Sequence, residues 1–184
     1  MKLLFKITIL SVLFLLSSCV KDIDFNQAND LELTPAVAVS LVKFNLDQNN
    51  FIDDTTNSEI IIPIEDVTEF TALDNKTAQE NLVRILFQFE AINTFERDFT
   101  IDFTFLDEND VVTHTIPRLV ITSNDQDFSQ DEEITIINNP AFLNSRKIHV
   151  RLTLLPSSNG STIDPNTAKV FTFKSSGIFY FRID

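Results

Sequence analysis

Phe99, Ile101, Phe103 and Phe105 alternate with Thr100, Asp102 and Thr104, and a period of two puts the four large apolar side chains on one face of an extended strand. That pattern excludes a helix and demands a second layer to cover the greasy face. It recurs. Val83, Ile85, Phe87 and Phe89 oppose Arg84, Gln88 and Glu90 within Asn81 to Asn93, and Ile148, Val150, Leu152 and Leu154 oppose His149, Arg151 and Thr153. Val37, Val39 and Leu41 lead into Phe44 and Leu46 as a first strand entered at Pro35, a residue suited to an edge or entry position. Ser58 to Ile64 reads as a short strand that Pro63 places at an edge. The sequence 107–110 (DEND) reads as a hairpin loop from Phe105–Leu106 into Val111 to Ile116.

Glu133 to Ile137 is a further strand, and Asn138 to Lys147, with Pro140, is a loop or one short helical turn. Val170 to Lys174 and Ile178 to Ile183 are two Phe-rich segments around Gly177, joined by a tight turn or continuous as one strand bulged at that glycine. No helical period follows residue 18. The expected fold is therefore all-β, an antiparallel β-sandwich with an immunoglobulin-like Greek key as leading topology and a closed β-barrel as the alternative. With two glycines in 184 residues, Asn and Asp must make most turns, as in 47–57. Eighteen phenylalanines against one tyrosine and no tryptophan point to a Phe-packed core rather than an exposed binding platform.

The N-terminus has a different logic. Lys2 and Lys6 precede the apolar run Ile7 to Leu16, and Ser17 and Ser18 are small, the three parts of a secretory signal. The apolar run is shorter than the roughly 20 residues that cross a bilayer. Leu16-Ser17-Ser18-Cys19 resembles the bacterial lipoprotein lipobox. The resemblance implies diacylglyceryl attachment to the Cys19 sulfur, cleavage before it, and acylation of the new amino group. Cys19 is the only cysteine in the chain, so its lipidation leaves no thiol for a disulfide, and three acyl chains suffice for a stable anchor.

The expected division is a signal peptide over 1–18, a lipidated Cys19 with polar tether over 19–33, and one β-sandwich domain over 34–184. Loss of residues 1–18 removes Lys2 and Lys6 and no acid, so 12 basic residues face 27 acidic ones and the formal charge moves from −13 to −15. Such a balance disfavours nucleic acid and anionic membrane surfaces, which require a basic patch.

The tether's Lys21-Asp22-Ile23-Asp24 resembles the acidic export signals of Bacteroidetes surface lipoproteins, which favours the cell surface over the periplasmic face of the outer membrane. Asp22 to Leu46, the turn Asn93 to Phe99 leading into FTIDFTFLDEND, and the terminal KSSGIFYFRI together resemble a group of lipoproteins from the flavobacterial branch of Bacteroidetes. That group carries no assigned activity, so the resemblance implies location and fold only.

Catalytic constellations are not legible. His114 and His149 stand alone without further nitrogen or sulfur ligands for zinc, and two glycines cannot build a phosphate loop or a serine-hydrolase elbow. No enzyme and no cofactor is expected. The one ion suggested is calcium: Asp125, Asp127, Ser129, Asp131 and Glu133 fall at alternate positions, the early spacing of a calcium loop, although Gln130 stands where such a loop needs glycine and Ile136 where it needs a bidentate Glu. A solvated acidic loop is the competing reading of 123–133. Asp54-Thr55-Thr56 resembles a Bacteroidetes O-glycosylation acceptor, with Thr55 as the modified residue, and an Asx-turn accounts for the same residues.

Two functions fit. One is a non-catalytic envelope or surface module that meets an envelope protein partner or serves a structural role. The other is an accessory lipoprotein binding a polysaccharide or nutrient, against which the lack of Trp counts, since flat sugar faces stack on such rings.

Overall fold

The computed structural model describes residues 34–53, 55–56, 58–157 and 160–183, within a compact unit spanning Thr34–Asp184. Cys19, the expected signal over 1–18 and the expected tether over 19–33 lie outside the described residues. The strands are β1 (Ala36–Asp47), β2 (Ile64–Glu69), β3 (Leu82–Asn93), β4 (Phe99–Leu106), β5 (Val112–Thr115), β6 (Leu119–Ile121), β7 (Phe128–Thr135), β8 (Lys147–Leu154) and β9 (Val170–Phe181). A six-residue helix, α1 (Lys76–Asn81), precedes β3, and 3-10 turns cover Gln48–Phe51 and Pro140–Asn144.

The strands form two antiparallel sheets ordered β1-β9-β3-β7 and β2-β8-β4-β5, with β6 also paired to β4. The pairing is nested: β1 with β9, β2 with β8, β3 with β7, and β4 with β5 and β6. The first four strands thus lie along the later ones in reverse order, as if one long hairpin had been folded in half. That hairpin is then rolled, because β9 also pairs β3 and β8 also pairs β4. Successive pairs therefore alternate between the sheets, which is the double Greek key of a jelly roll. The sandwich is as expected and is not closed into a barrel. Its strand order is not the immunoglobulin-like one, which sets the first strand beside the second. Period-two alternation selects the buried face of a strand and carries nothing about its neighbour, so it could not separate the two topologies.

The core is aromatic and continuous between the layers. Phe89 of β3 meets Phe103 of β4 with ring centroids 5.4 Å apart, Phe87 meets Phe105 at 5.1 Å, and Phe99 meets Phe171 of β9 at 4.5 Å. These pairs lie at distances where edge and tilted aromatic contacts add to area burial. No phenylalanine among the described residues is fully exposed, which agrees with the reading of these side chains as core.

β9 runs unbroken through Gly177, with Phe87 and Val39 opposite it in the register on either side. A Cβ at Gly177 would lie 2.7 Å from Cε2 of the buried Phe179 ring, so the glycine makes room for that ring and neither turns nor bulges the strand. The irregularity is on β1 instead, between Ser40 and Lys43. There the buried Ser175 hydroxyl accepts from the Val42 N–H at 3.1 Å and donates to the Val42 carbonyl at 3.3 Å, satisfying backbone groups that the bulge removes from the ladder.

Other elements differ from expectation too, among them β6, where no strand is expected. Ser58 to Ile64 holds only an isolated bridge between Ile52 and Glu59, and the edge strand is Ile64–Glu69. β7 begins at Phe128 rather than Glu133, because its inward positions include Gln130 and Glu132 and conceal the alternation. α1 spans less than two turns, too few to display a 3.6 period; Asn75 caps it by accepting from the Ala78 N–H at 2.7 Å.

Candidate functional site

An apolar concavity lies between β1 and β2, whose outer edges pair with no other strand among the described residues. Val42, Phe44 and Leu46 form one wall, Ile64 and Thr68 the other, Val150 and Leu152 the floor, and Lys43 and Asp66 the rim, around a cavity of about 220 Å3. Each wall is the edge strand of its sheet. The β2 side is guarded: Asp66 accepts from the N–H of its neighbour Val67 at 2.9 Å. On the β1 side Lys43 forms no ion pair among the described residues, whereas Lys174, opposite it in the register, bonds Glu90 at 2.6 Å. Among the described residues the groove is lined by one carboxylate, one ammonium and no histidine or thiol, and its walls are apolar.

The calcium candidates do not converge. Asp125 lies in a loop and accepts from the Asp127 N–H at 3.1 Å. Asp131 and Glu133 sit on β7, where the alternation turns both to the outer face, and Glu133 is bonded to Arg84 at 2.6 Å. Residues 128–133 are strand, which corrects the reading of 123–133 as a single acidic loop. Among the described residues no group of three His, Cys, Asp or Glu side chains is placed to hold a metal ion.

Thr55 is exposed in a turn made by Asp53, whose carboxylate accepts from the Thr55 and Thr56 N–H groups at 2.8 Å each. Those donors, Thr56 first, hold the Asp53 carboxyl below the ordinary carboxylate range. The two histidines occupy opposite faces of their sheet. His149 reaches Glu65 at 3.2 Å on the outer face, while His114 turns inward beside Phe105 and Phe142 with Nε2 buried and without a hydrogen-bond partner among the described residues. Burial lowers the His114 pKa, and Glu132, facing it from β7, opposes that shift.

One constellation was missed in the sequence. Arg97 is 4 % exposed and donates to the Leu155 carbonyl from Nε at 3.1 Å and Nη2 at 2.7 Å, and to Glu59 Oε1 from Nη1 at 2.6 Å. Glu59 also accepts from the Ile163 N–H at 2.6 Å. The buried guanidinium thereby ties the loop before β2 to the loop after β8, and its donors are committed to the fold. Asn93 does similar work at the β3–β4 turn, donating to the carbonyls of Arg97 at 2.8 Å and Thr122 at 2.7 Å. A lone Arg or Asn in a turn leaves no periodic signal, so neither could be singled out.

The described residues thus define an antiparallel jelly-roll sandwich with an apolar groove along one edge. No protein-family model matches the chain, and no curated relative matches it. Among solved structures it is similar to a protein of Parabacteroides distasonis described as secreted, at 19 % identity and TM-score 0.46, over 64 % of this chain and 38 % of that one. It is also similar to VP2 of infectious bursal disease virus, at 7 % identity and TM-score 0.44, over 81 % of this chain and 33 % of that one. The coat protein of Tobacco streak virus aligns at 10 % identity and TM-score 0.35, over 84 % and 91 % of the two chains. The chain spans about a third of the length of the first two. No helix among the described residues is long and apolar enough to cross a membrane.

Proposed function

We propose that this chain is a lipid-anchored, non-catalytic lipoprotein of the outer membrane, exposed at the cell surface, whose sandwich acts as a protein-interaction or structural module. The observation that carries the reading is the groove between β1 and β2: apolar walls, an edge strand on each side, and Lys43 and Asp66 confined to the rim. Strand edges with apolar pockets beneath them recognise polypeptide.

The accessory ligand-binding alternative has less support. Tyr180, the sole tyrosine, carries the Arg84 guanidinium 3.8 Å from its ring centroid, which occupies one stacking face. The groove also falls below the roughly 300 Å3 at which ordinary small-molecule pockets begin.

The anchor rests on Leu16 to Cys19. Metabolic labelling with radioactive palmitate should mark the protein in cells, and Cys19→Ala should abolish the label and leave the full-length precursor. Retained label in that variant would remove the anchor from the proposal. Glycan-array binding at the unmodified surface would favour the alternative.

A further inference from the structure

We infer that the free edge of β1 is a self-association surface, onto which a second copy of this chain adds its own β1 in antiparallel register about Asn45. The inference rests on reading the sandwich as an interaction module and names the partner of the same edge.

The other edges are guarded. β2 carries Asp66 on the groove rim with the Val67 N–H taken up. β7 turns Glu132 inward and presents Asp131 and Glu133 outward, so two copies of it would oppose like charges. β5 is four residues long. On β1 the bulge between Ser40 and Lys43 spoils the first half, and beyond Asp47 the chain enters a 3-10 turn in which Asn50 holds the Asp47 N–H at 2.8 Å. What remains is a regular edge over Lys43–Asp47, at whose end Asp47 accepts from the Asn49 N–H with Oδ1 at 2.9 Å, so that Oδ2 is the oxygen it offers a second copy.

That stretch is self-complementary. Phe44 and Leu46 pair in register with Phe173 and Phe171 and so face inward along the groove wall, while Lys43, Asn45 and Asp47 are exposed on the outer face. A two-fold axis at Asn45 sets Lys43 opposite Asp47 of the second copy twice over and Phe44 opposite its Leu46 twice over. Both sets are favourable cross-strand pairs, and the contact is the isologous kind that closes at two. It supplies a charge partner for Lys43, which has none among the described residues. A five-residue pairing buries far less than the roughly 1,200 Å2 of a stable interface, so the contact is concentration-dependent. Attachment of both copies to one surface strengthens it by raising their effective concentration.

The test adds one cysteine at a time to the full-length chain under mild oxidation, each read against the dimer that Cys19 alone gives. Asn45→Cys meets its own copy at the axis and should give a covalent dimer well above that of the unsubstituted chain, which carries Cys19 alone, and above Lys174→Cys on β9. Lys43→Cys and Asp47→Cys should each stay monomeric alone, their like positions lying about 13 Å apart, and should cross-link when the two variants are mixed. Lys43→Asp within Asn45→Cys should cut the dimer roughly tenfold, the effect of two opposed charge pairs. No excess dimer at Asn45, or cross-linking that ignores both position and charge, overturns the inference. A cross-link from Asn45→Cys to a different protein also overturns it, and leaves the interaction module standing.

Discussion

The two long margins of the sandwich have the same architecture and opposite finish. At the β5/β7 margin the 3-10 turn Pro140–Asn144 folds Phe142 inward, where it is fully buried, against Phe105 at 4.8 Å and Phe87 at 5.9 Å. His114 and Glu132 face each other across the remaining gap. At the β1/β2 margin nothing among the described residues plays the part of Phe142, and the gap between the sheets persists as the groove. A margin closed by its own chain serves the fold. The open one leaves apolar surface and an edge strand unpaired among the described residues, and it is this side that the proposed interaction module would use.

The contrast can be broken most sharply at the closed margin. Phe142→Ala should cost about 3–5 kcal/mol in urea unfolding, since it removes a fully buried ring with several aromatic partners. A loss equal to that of a groove residue would mean the turn is no plug. Leu46→Ala, at a half-buried groove wall, should cost about 1 kcal/mol; a cost as large as that of Phe142→Ala would mark the groove as sealed core. The smallest effect concerns His114. Its pKa is lowered in the folded state by burial, so the unfolded chain takes up the proton first and stability should fall as pH drops below about 6.5. His114→Phe should flatten that part of the pH profile, and an unchanged slope would place the sensitivity elsewhere.

How far the sequence reaches can be judged from the same margins. β4 and β8 sit in the middle of their sheet, and every inward position from Phe99 to Phe105 and from Ile148 to Leu154 is apolar, so both were legible. β2 and β7 are edges, where inward positions such as Asp66, Thr68, Gln130 and Glu132 can reach water at the rim. Their alternation is therefore masked, and β2 and the first half of β7 were missed. Ser58 to Ile64 was mistaken for a strand because its apolar run imitates one, whereas Ile61 and Ile62 stand exposed in a loop held by Glu59 and Arg97. The groove was invisible for a different reason: it exists only because β1 and β2 end their sheets side by side, a fact of strand order that alternation does not encode.

The nested order also has a consequence in time. The hydroxyl that repairs the β1 bulge belongs to a residue 133 positions later, and β1 finds its sheet partner only in the last strand. During synthesis the first strand waits, unpaired, for nearly the whole domain to follow. Folding governed by such distant closures is slow, and the strand left waiting longest is one whose outer edge is unpaired among the described residues.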